Sequence, residues 1–365
     1  METREKLGKQ AQELFDSKGR ICLEYSTGVG KTKAALDLID KDGGEWDICT
    51  PTVAISKGWL EEIEKFGMQH LKPKLRIYCY QSLHKYISHD RGINFCLDEG
   101  HNITEKRRDF ILLGIKPHNK VIALSATVDA EKKGLLEEIG IGRDSYLKFN
   151  TDKAVKAGIV TDYEMYAYTV PLGGVPEKLP RFTNPISEKQ AYAFLSKKVR
   201  EAQQKQDWKS MQFFAIWRKQ LLSGLISKEK VAVYLIGRLP KDKKSLIFAA
   251  SIEQSDRLCE NSYHSKGEQD VLDRFKDDEI MMMSSVAKIR EGVNVQADII
   301  IKTGIDSKEK NMVQTLGRAL RLNPNEPNKK AIAVILIAEG TQEEVWLGNS
   351  TQSFKNLKVR KWKLN

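Results

Sequence analysis

A glycine-rich segment near the amino terminus has the composition of a phosphate-binding loop. Residues 26–32 read STGVGKT, after an apolar run typical of a buried strand and before a helical pattern that begins at Lys31. Gly28 and Gly30 allow backbone N–H groups to surround a phosphate, and the amino terminus of the helix adds the positive end of its dipole. Lys31 is expected to contact β- and γ-phosphate oxygens, and Thr32 to ligate Mg²⁺. The predicted nucleotide-binding residues are Thr27, Gly28, Val29, Gly30, Lys31, Thr32 and Lys33.

The segment is a variant of the common motif. The pattern G-x-x-x-x-G-K-[ST] would place a glycine where Tyr25 stands, whereas the half that carries the chemistry, G-K-T, is intact. A turn without a ligand is the alternative interpretation. The order of strand, glycine loop and helix favours the nucleotide site.

Two adjacent carboxylates follow another apolar run. The stretch INFCLDEGH places Asp98 and Glu99 where a predicted strand ends, which is where ligands gather in open α/β sheets. Asp98 can hold Mg²⁺ through its water shell, and Glu99 can orient and deprotonate an attacking water. The alternative is an exposed acidic turn. The predicted phosphate loop upstream favours the first interpretation, in which the two carboxylates serve hydrolysis of a γ-phosphate.

The elements that must position these residues form two series. Apolar runs typical of parallel strands alternate with helical patterns, such as the one over 56–66 with Trp59, Leu60, Ile63 and Phe66 on one face. The runs of the first series are 21–26, 46–52, 75–81, 93–99 and 121–127, and those of the second are 245–251, 279–285, 297–304 and 331–340. We therefore expect two α/β domains.

The segment between the two series has a different character. Residues 186–230 contain ten Lys or Arg against four Asp or Glu and read as two or three helices, with aromatic residues interleaved. The stretch is the best local candidate for a nucleic-acid surface, because cations neutralise phosphates and rings stack on bases. The alternative is a helical insertion whose rings are core and whose lysines are solvated.

Composition bounds the class of protein. The 365 residues carry a net charge of +11, which suggests a polyanionic partner or serves solubility alone. No run approaches the length of a membrane helix and the start lacks the apolar core of a signal peptide, so we expect a cytoplasmic protein that spans no membrane. The five cysteines are scattered without metal-ligand spacing, so neither zinc nor disulfides are expected.

Five strings together resemble superfamily 2 helicases and translocases. They are STGVGKT (26–32), DEGH (98–101), SAT (125–127), SSVAKIREGVNV (284–295) and QTLGRALR (314–321). DEGH is similar to the DEAD/DEAH box. The stretches at 50–66 and 78–85 also resemble the branch that contains type III restriction motor subunits, XPB and phage UvsW-type helicases.

The resemblance implies two RecA-like P-loop domains in tandem with ATP and Mg²⁺ bound between them. We expect the first domain over 1–152, the second over 153–345 with a basic, mostly helical segment at about 175–240, and a basic tail over 346–365. The tail is either a phosphate contact or disordered.

The resemblance also implies roles for further residues. His101 would link the nucleotide site either to the other domain or to Ser125 and Thr127, and these residues would couple hydrolysis to movement of nucleic acid. Gln314, Arg318 and Arg321 match a Q-x-x-G-R-x-x-R helix. The two arginines would share one helical face, where a guanidinium can neutralise transition-state charge.

Two further assignments have structural alternatives. In the REGVNV string Gly292 would permit close backbone approach and Asn294 a polar contact, or the string, which includes Glu291, is a structural turn. Gln10 is the candidate for an upstream glutamine that reads adenine, although Gln12 lies beside it.

The leading hypothesis is an ATP-driven helicase or translocase that remodels nucleic acid, with DNA favoured over RNA because the resembling branch mostly acts on DNA. We expect a monomer that meets protein partners of a replication or recombination complex, in a host-cell cytoplasm if it is phage-encoded. The alternatives are an RNA helicase, an ATP-gated nucleic-acid clamp and a motor subunit without strand separation. Stimulation by matched DNA and RNA separates the first alternative, and strand displacement the others.

Overall fold

The computed structural model describes residues 2–86, 93–268, 270–286, 295–317, 319, 330–352, 354 and 356–363. These residues divide into two compact units. The first contains the described residues up to Asp162, together with 313–317 and 319. The second contains the other described residues from Tyr163 onward.

The first unit is built on a six-stranded sheet. Its strands are β1 (Arg20–Tyr25), β2 (Trp46–Thr50), β3 (Leu75–Cys79), β4 (Asn94–Leu97), β5 (Val121–Ser125) and β6 (Tyr146–Phe149). Its helices are α1 (Glu2–Lys18), α2 (Lys31–Asp42), α3 (Val53–Lys65), α4 (Leu83–Tyr86), α5 (Glu105–Gly114), α6 (Ala130–Glu138) and α7 (Thr151–Lys156). The strand order is β3-β2-β4-β5-β1-β6, and every pairing within the sheet is parallel.

The apolar runs of the first series form this sheet because strands covered on both faces must be apolar throughout. Every residue of β2 and β5 is buried. Helix starts are set by local polar residues: the side chain of Thr52 accepts the N–H of Ile55, and that of Asp129 accepts the N–H of Lys132. The five strands predicted before residue 130 are confirmed.

The second unit contains a seven-stranded sheet. Its strands are β7 (Asp162–Val170), β8 (Ser245–Phe248), β9 (Ser262–Tyr263), β10 (Met282–Ser285), β11 (Ile299–Lys302), β12 (Lys330–Ala338) and β13 (Leu357–Lys361), in the order β13-β7-β12-β11-β8-β10-β9. Its helices are α8 (Glu188–Gln204), α9 (Trp208–Ser223), α10 (Ile226–Ile236), α11 (Ile252–Leu258), α12 (Val271–Lys276) and α14 (Gln342–Ser350). Helix α13 (Glu309–Leu316) follows β11. Two parallel-sheet α/β units with added helices are the predicted fold class.

A fully buried ion pair ties the helical segment to the carboxyl-terminal part of the second unit. The Nζ of Lys228 on α10 lies 2.8 and 2.9 Å from the two carboxylate oxygens of Glu343 on α14. Both side chains are fully buried, and Glu343 also accepts the backbone N–H of Ala338 at 2.7 Å. Loss of either partner would leave a buried charge without compensation.

The described part of 346–365 supplies the end of α14 and strand β13, which pairs in parallel with β7. Among the helices that the structure describes, none is long and apolar enough to cross a membrane.

Candidate nucleotide-binding site

The predicted site residues of the first unit follow three adjacent parallel strands. β4, β5 and β1 are neighbours in the sheet, so their carboxyl ends lie at one edge. The glycine loop follows β1, the Asp98–Glu99 pair follows β4, and Ser125 is the last residue of β5. This edge therefore collects all three strings, although they are far apart in sequence.

The glycine loop needs glycine at two positions. Gly28 and Gly30 have φ values of 89° and 104°, in the left-handed region that side chains rarely adopt. Gly30 precedes α2 and provides no side-chain cap. The first hydrogen bond of the helix runs from the N–H of Ala34 to the carbonyl oxygen of Gly30 at 3.0 Å. The N–H groups of the first turn are thus available to an anion.

The end of β1 holds the loop lysine. The Nζ of Lys31 donates to the backbone carbonyl of Tyr25 at 3.1 Å. Tyr25, which stands where the common motif has glycine, is buried with its ring 6.5 Å from that of Phe149 in an edge arrangement. The tyrosine is therefore a packing residue of the sheet, and the loop keeps its lysine at the strand end without the usual first glycine.

Asp98 receives a hydrogen bond on each oxygen. The indole of Trp59 donates to Oδ2 at 2.7 Å, and the backbone N–H of Glu99 donates to Oδ1 at 2.9 Å. Burial raises the pKa of Asp98, while the Trp59 hydrogen bond and the charge of Lys31 act in the opposite direction. The carboxylate is thus oriented before any ligand arrives.

Glu99 has a positive φ of 47°, which is rare for a residue with a side chain. Such strained conformations cluster at functional sites and cost on the order of 1–3 kcal/mol. The strained backbone at Glu99 therefore supports the prediction that this residue has a functional role.

A chain of hydrogen bonds links the DEGH and SAT strings. The Nδ1 of His101 lies 2.9 Å from Oγ of Ser125 and 3.4 Å from Oε2 of Glu99. The hydroxyl of Ser125 donates to the carbonyl of Thr127 at 2.7 Å. Because a hydroxyl has one proton to donate, Ser125 must accept from His101, so Nδ1 carries a proton.

The donor set fits a magnesium–nucleotide complex. Hard cations prefer oxygen, and Mg²⁺ is usually held by one or two protein oxygens together with phosphates and water. Thr32 and Asp98 offer a hydroxyl and a carboxylate, and the buried hydroxyl of Ser26 at the loop start has no hydrogen-bond partner among the described residues. Within that part of the chain no group of three or more His, Cys, Asp or Glu side chains could hold a metal ion.

Of two further predicted nucleotide contacts, Lys33 has other neighbours and Gln10 is exposed. Lys33 pairs with Asp37 one turn later, and its Nζ lies 5.3 Å from the ring centroid of Phe66. Gln10 is exposed on α1, whereas Gln12 donates to Asp16 at 2.7 Å. A nucleotide contact by Lys33 would therefore rest on its backbone N–H, and that of Gln10 stays a prediction.

The remaining predicted site residues belong to the later strings. Gln314 lies on α13 with 6% exposure, and its Oε1 has no hydrogen-bond partner within the described ranges. Arg318, Arg321, Glu291, Gly292 and Asn294 lie outside the described residues, and their roles stay predictions.

Trp59 is the neighbour of Asp98 that sequence reasoning missed. Helical periodicity placed it on an apolar face, and its side chain is indeed buried. A tryptophan N–H needs a partner when buried, which is the signal that was available. Leu60 was expected on the same face but is 44% exposed, because the helix turns by about 100° per residue and its buried residues are Trp59 and Ile63.

Comparison with known proteins gives one domain match and a likeness of fold. Residues 227–323 match the family described as "Helicase conserved C-terminal domain". The fold is similar to that of Dbp5 of Saccharomyces cerevisiae bound to RNA and ADP BeF3, with a TM-score of 0.62 and 13% identity over 98% of this chain and 89% of that chain. It is also similar to the Hef helicase domain of Pyrococcus furiosus, with a TM-score of 0.53 and 15% identity over 95% of this chain and 97% of that chain.

At these identities the structural likeness defines the fold. Comparison with curated protein sequences finds no significant match. Residues 227–323 therefore match a helicase domain, and the chain shares with these structures the fold of two parallel-sheet α/β domains in tandem.

Proposed function

We propose that this protein is an ATP-driven nucleic-acid helicase or translocase that remodels DNA. The observation that carries the proposal is the position of Lys31, Asp98 and Glu99 beyond the carboxyl ends of β1 and β4, the two strands on either side of β5. A phosphate-binding cation, an oriented carboxylate and a second carboxylate are the groups that hydrolysis of a nucleoside triphosphate requires.

Each residue has a distinct task in this proposal. The bound magnesium–ATP complex supplies the phosphoanhydride bond that is cleaved. The N–H groups of the glycine loop and the ammonium of Lys31 bind and orient the phosphates. Asp98 and Thr32 provide oxygens for the metal, and Glu99 accepts a proton from the attacking water.

His101 would transmit the structural change that follows γ-phosphate cleavage from the nucleotide site to the SAT string. Its imidazole lies between Glu99 and Ser125, and Ser125 contacts the SAT backbone at Thr127. A change in the charge or position of Glu99 would shift the imidazole of His101, and through Ser125 it would shift the loop after β5. This route is the proposed link between hydrolysis and movement of nucleic acid.

The α8–α9 hairpin supports nucleic acid as the substrate. Its rings divide into two groups: Tyr192, Phe214 and Trp217 pack on the leucines of the hairpin core, whereas Phe194, Trp208 and Phe213 are 41%, 62% and 54% exposed. The core interpretation therefore accounts for half of these six rings. Exposed rings among excess cations suit a strand with accessible bases.

A second candidate is an RNA helicase. The observation that favours it is the fold likeness to a Dbp5 structure bound to RNA. DNA is preferred because the strings at 50–66 and 78–85 resemble the branch with type III restriction motor subunits, XPB and UvsW-type helicases. An ATP-gated clamp is less favoured because a switch could dispense with Glu99.

The test is ATP hydrolysis across a panel of substrates. Purified protein is assayed alone and with single-stranded DNA, duplex, fork and Holliday-junction DNA, and RNA of matched sequence. We expect stimulation that is greatest with DNA and falls with salt, because phosphate contacts weaken. Equal hydrolysis with and without every polymer would contradict the motor, and greater stimulation by RNA would favour the second candidate.

A further inference from the structure

The last strand completes a surface of the second unit that contains alternating rings and cations. β13 pairs with β7 in a register that aligns Lys358 with Tyr166 and Arg360 with Tyr168. Alternate residues of a strand share a face, so Trp362 continues the same row beyond the strand. We define the C-terminal face by these residues and their neighbours: Glu164, Tyr166, Tyr168, Tyr234, Arg238, Lys330, Lys358, Arg360 and Trp362.

Cations lie over one ring of this face. The Nζ of Lys358 is 5.1 Å from the ring centroid of Tyr166, and the Cζ of Arg360 is 4.9 Å from it. These separations are within the range of cation–π attraction. The two cations are therefore held beside one another on the sheet surface.

The rings continue onto α10. Trp362 meets Tyr168 with centroids 5.5 Å apart and Tyr234 at 5.2 Å, both edge to face. Arg238 covers Tyr234, with Cζ 3.4 Å from the ring centroid, and Tyr234 is still 45% exposed. The row thus passes from the sheet to the helix, with a guanidinium at its far end.

The charge of the C-terminal face is positive. Its four cations are Lys330, Lys358, Arg360 and Arg238, against the single carboxylate of Glu164. Glu164 lies 3.3 Å from Lys358 and 3.9 Å from Lys330, whose side chains are 51% and 59% exposed. Ion pairs this exposed contribute little, so the lysines can turn to another anion at small cost.

We propose that the C-terminal face is an accessory binding surface for single-stranded nucleic acid, with the cations on phosphates and the exposed ring of Tyr234 against a base, while Trp362 packs on the core and supports Tyr234. The proposal rests on the nucleic-acid function proposed above. Excess positive charge matches a polyanion, and an exposed ring beside cations can stack on a base. Edge-strand cations also protect a sheet from pairing with other chains, and that role alone would predict no effect on binding.

The strand provides its own control. Lys361 and Lys363 alternate with Arg360 and Trp362, and Lys361 pairs with Glu339 instead, at 2.5 Å. The double variant Lys358→Gln/Arg360→Gln is compared with Lys361→Gln/Lys363→Gln, which removes the same charge from the same segment. Binding of 20-nucleotide fluorescent oligo-dT and oligo-U is measured by anisotropy over a series of NaCl concentrations.

We expect the face variant to weaken binding more than the control and to reduce the salt slope by roughly 1.4, since each lost single-strand phosphate contact removes about 0.7. Tyr234→Ala should weaken binding roughly fivefold or more with an unchanged slope, because stacking is not ionic. Hydrolysis of ATP without nucleic acid should stay at the wild-type rate in all three variants.

Equal effects of the two double variants, or none, would overturn the accessory surface while leaving the motor intact. Wild-type protein that binds neither oligonucleotide would also overturn the accessory surface, whereas the motor is overturned only if duplex, fork and junction DNA fail to stimulate ATP hydrolysis as well. Thermal melting of each variant checks that the fold is retained.

Discussion

The indole N–H of Trp59 on α3 donates a 2.7 Å hydrogen bond to Oδ2 of Asp98, the residue that follows β4. The indole is 1% exposed, so the bond is shielded from water. With the Glu99 N–H on Oδ1, both oxygens of the carboxylate are fixed in orientation. If Asp98 holds Mg²⁺ as proposed, Trp59 would orient this carboxylate without touching the metal.

We predict that Trp59→Phe lowers ATP hydrolysis and raises the Mg²⁺ concentration for half-maximal rate, together by roughly 10- to 100-fold. Phenylalanine keeps an aromatic six-membered ring in the core but loses the five-membered ring of the indole together with its N–H. Leu60→Ala, on the exposed side of α3, is the control and should leave the magnesium curve unchanged. If the dependence of the hydrolysis rate on Mg²⁺ concentration is the same in Trp59→Phe and wild type, the hydrogen bond to Asp98 does not influence the metal site and Trp59 only packs in the core.

Glu99→Gln should separate nucleotide binding from turnover. Glutamine keeps the shape of the side chain but cannot accept the proton of the attacking water, so kcat should fall by roughly 10²- to 10⁴-fold. Binding of a fluorescent ATP analogue should change little. Lys31→Ala provides the contrast, since it should weaken nucleotide binding itself. A Glu99→Gln enzyme with wild-type kcat would remove this residue from the mechanism.

Ser125→Ala tests the link from His101 to Thr127. The substitution removes the hydroxyl that accepts from His101 Nδ1 and donates to the Thr127 carbonyl. We expect strand displacement per ATP hydrolysed to fall while hydrolysis continues. Ser125→Thr, which keeps the hydroxyl, should restore much of the ratio. If displacement and hydrolysis fall in parallel, the hydroxyl supports catalysis and does not couple it to movement.

The buried pair of Lys228 and Glu343 gives a prediction on stability. Lys228→Met leaves the Glu343 carboxylate buried alone and should lower the free energy of unfolding by about 3–5 kcal/mol. The double variant Lys228→Met/Glu343→Leu should recover most of that loss, because an apolar pair needs no compensation. Chemical denaturation of the three proteins measures both. Additive losses would mean that the two side chains do not act as a pair.

Sequence reasoning succeeded where local physics determines the outcome. Strands buried on both faces must be apolar, so β1, β2 and β5 could be predicted. The loop before α2 could be predicted from its glycines, which the structure shows to have positive φ. The bond from Trp59 to Asp98 joins residues 39 positions apart, and nothing in a single sequence gives their side-chain orientation. For the same reason the sequence did not show which aromatic residues of the α8–α9 hairpin are packed in the core and which are exposed.

The pairing of β13 with β7 has a consequence for synthesis on the ribosome. The first sheet uses strands between residues 20 and 149, so it can close early in translation. In the second sheet β7, which ends at Val170, waits about 190 residues for β13, or roughly 10 to 40 seconds at ordinary elongation rates. During that interval the edge of β7 that later pairs with β13 is open to chaperones or to wrong partners, even after β12 has formed on the other edge.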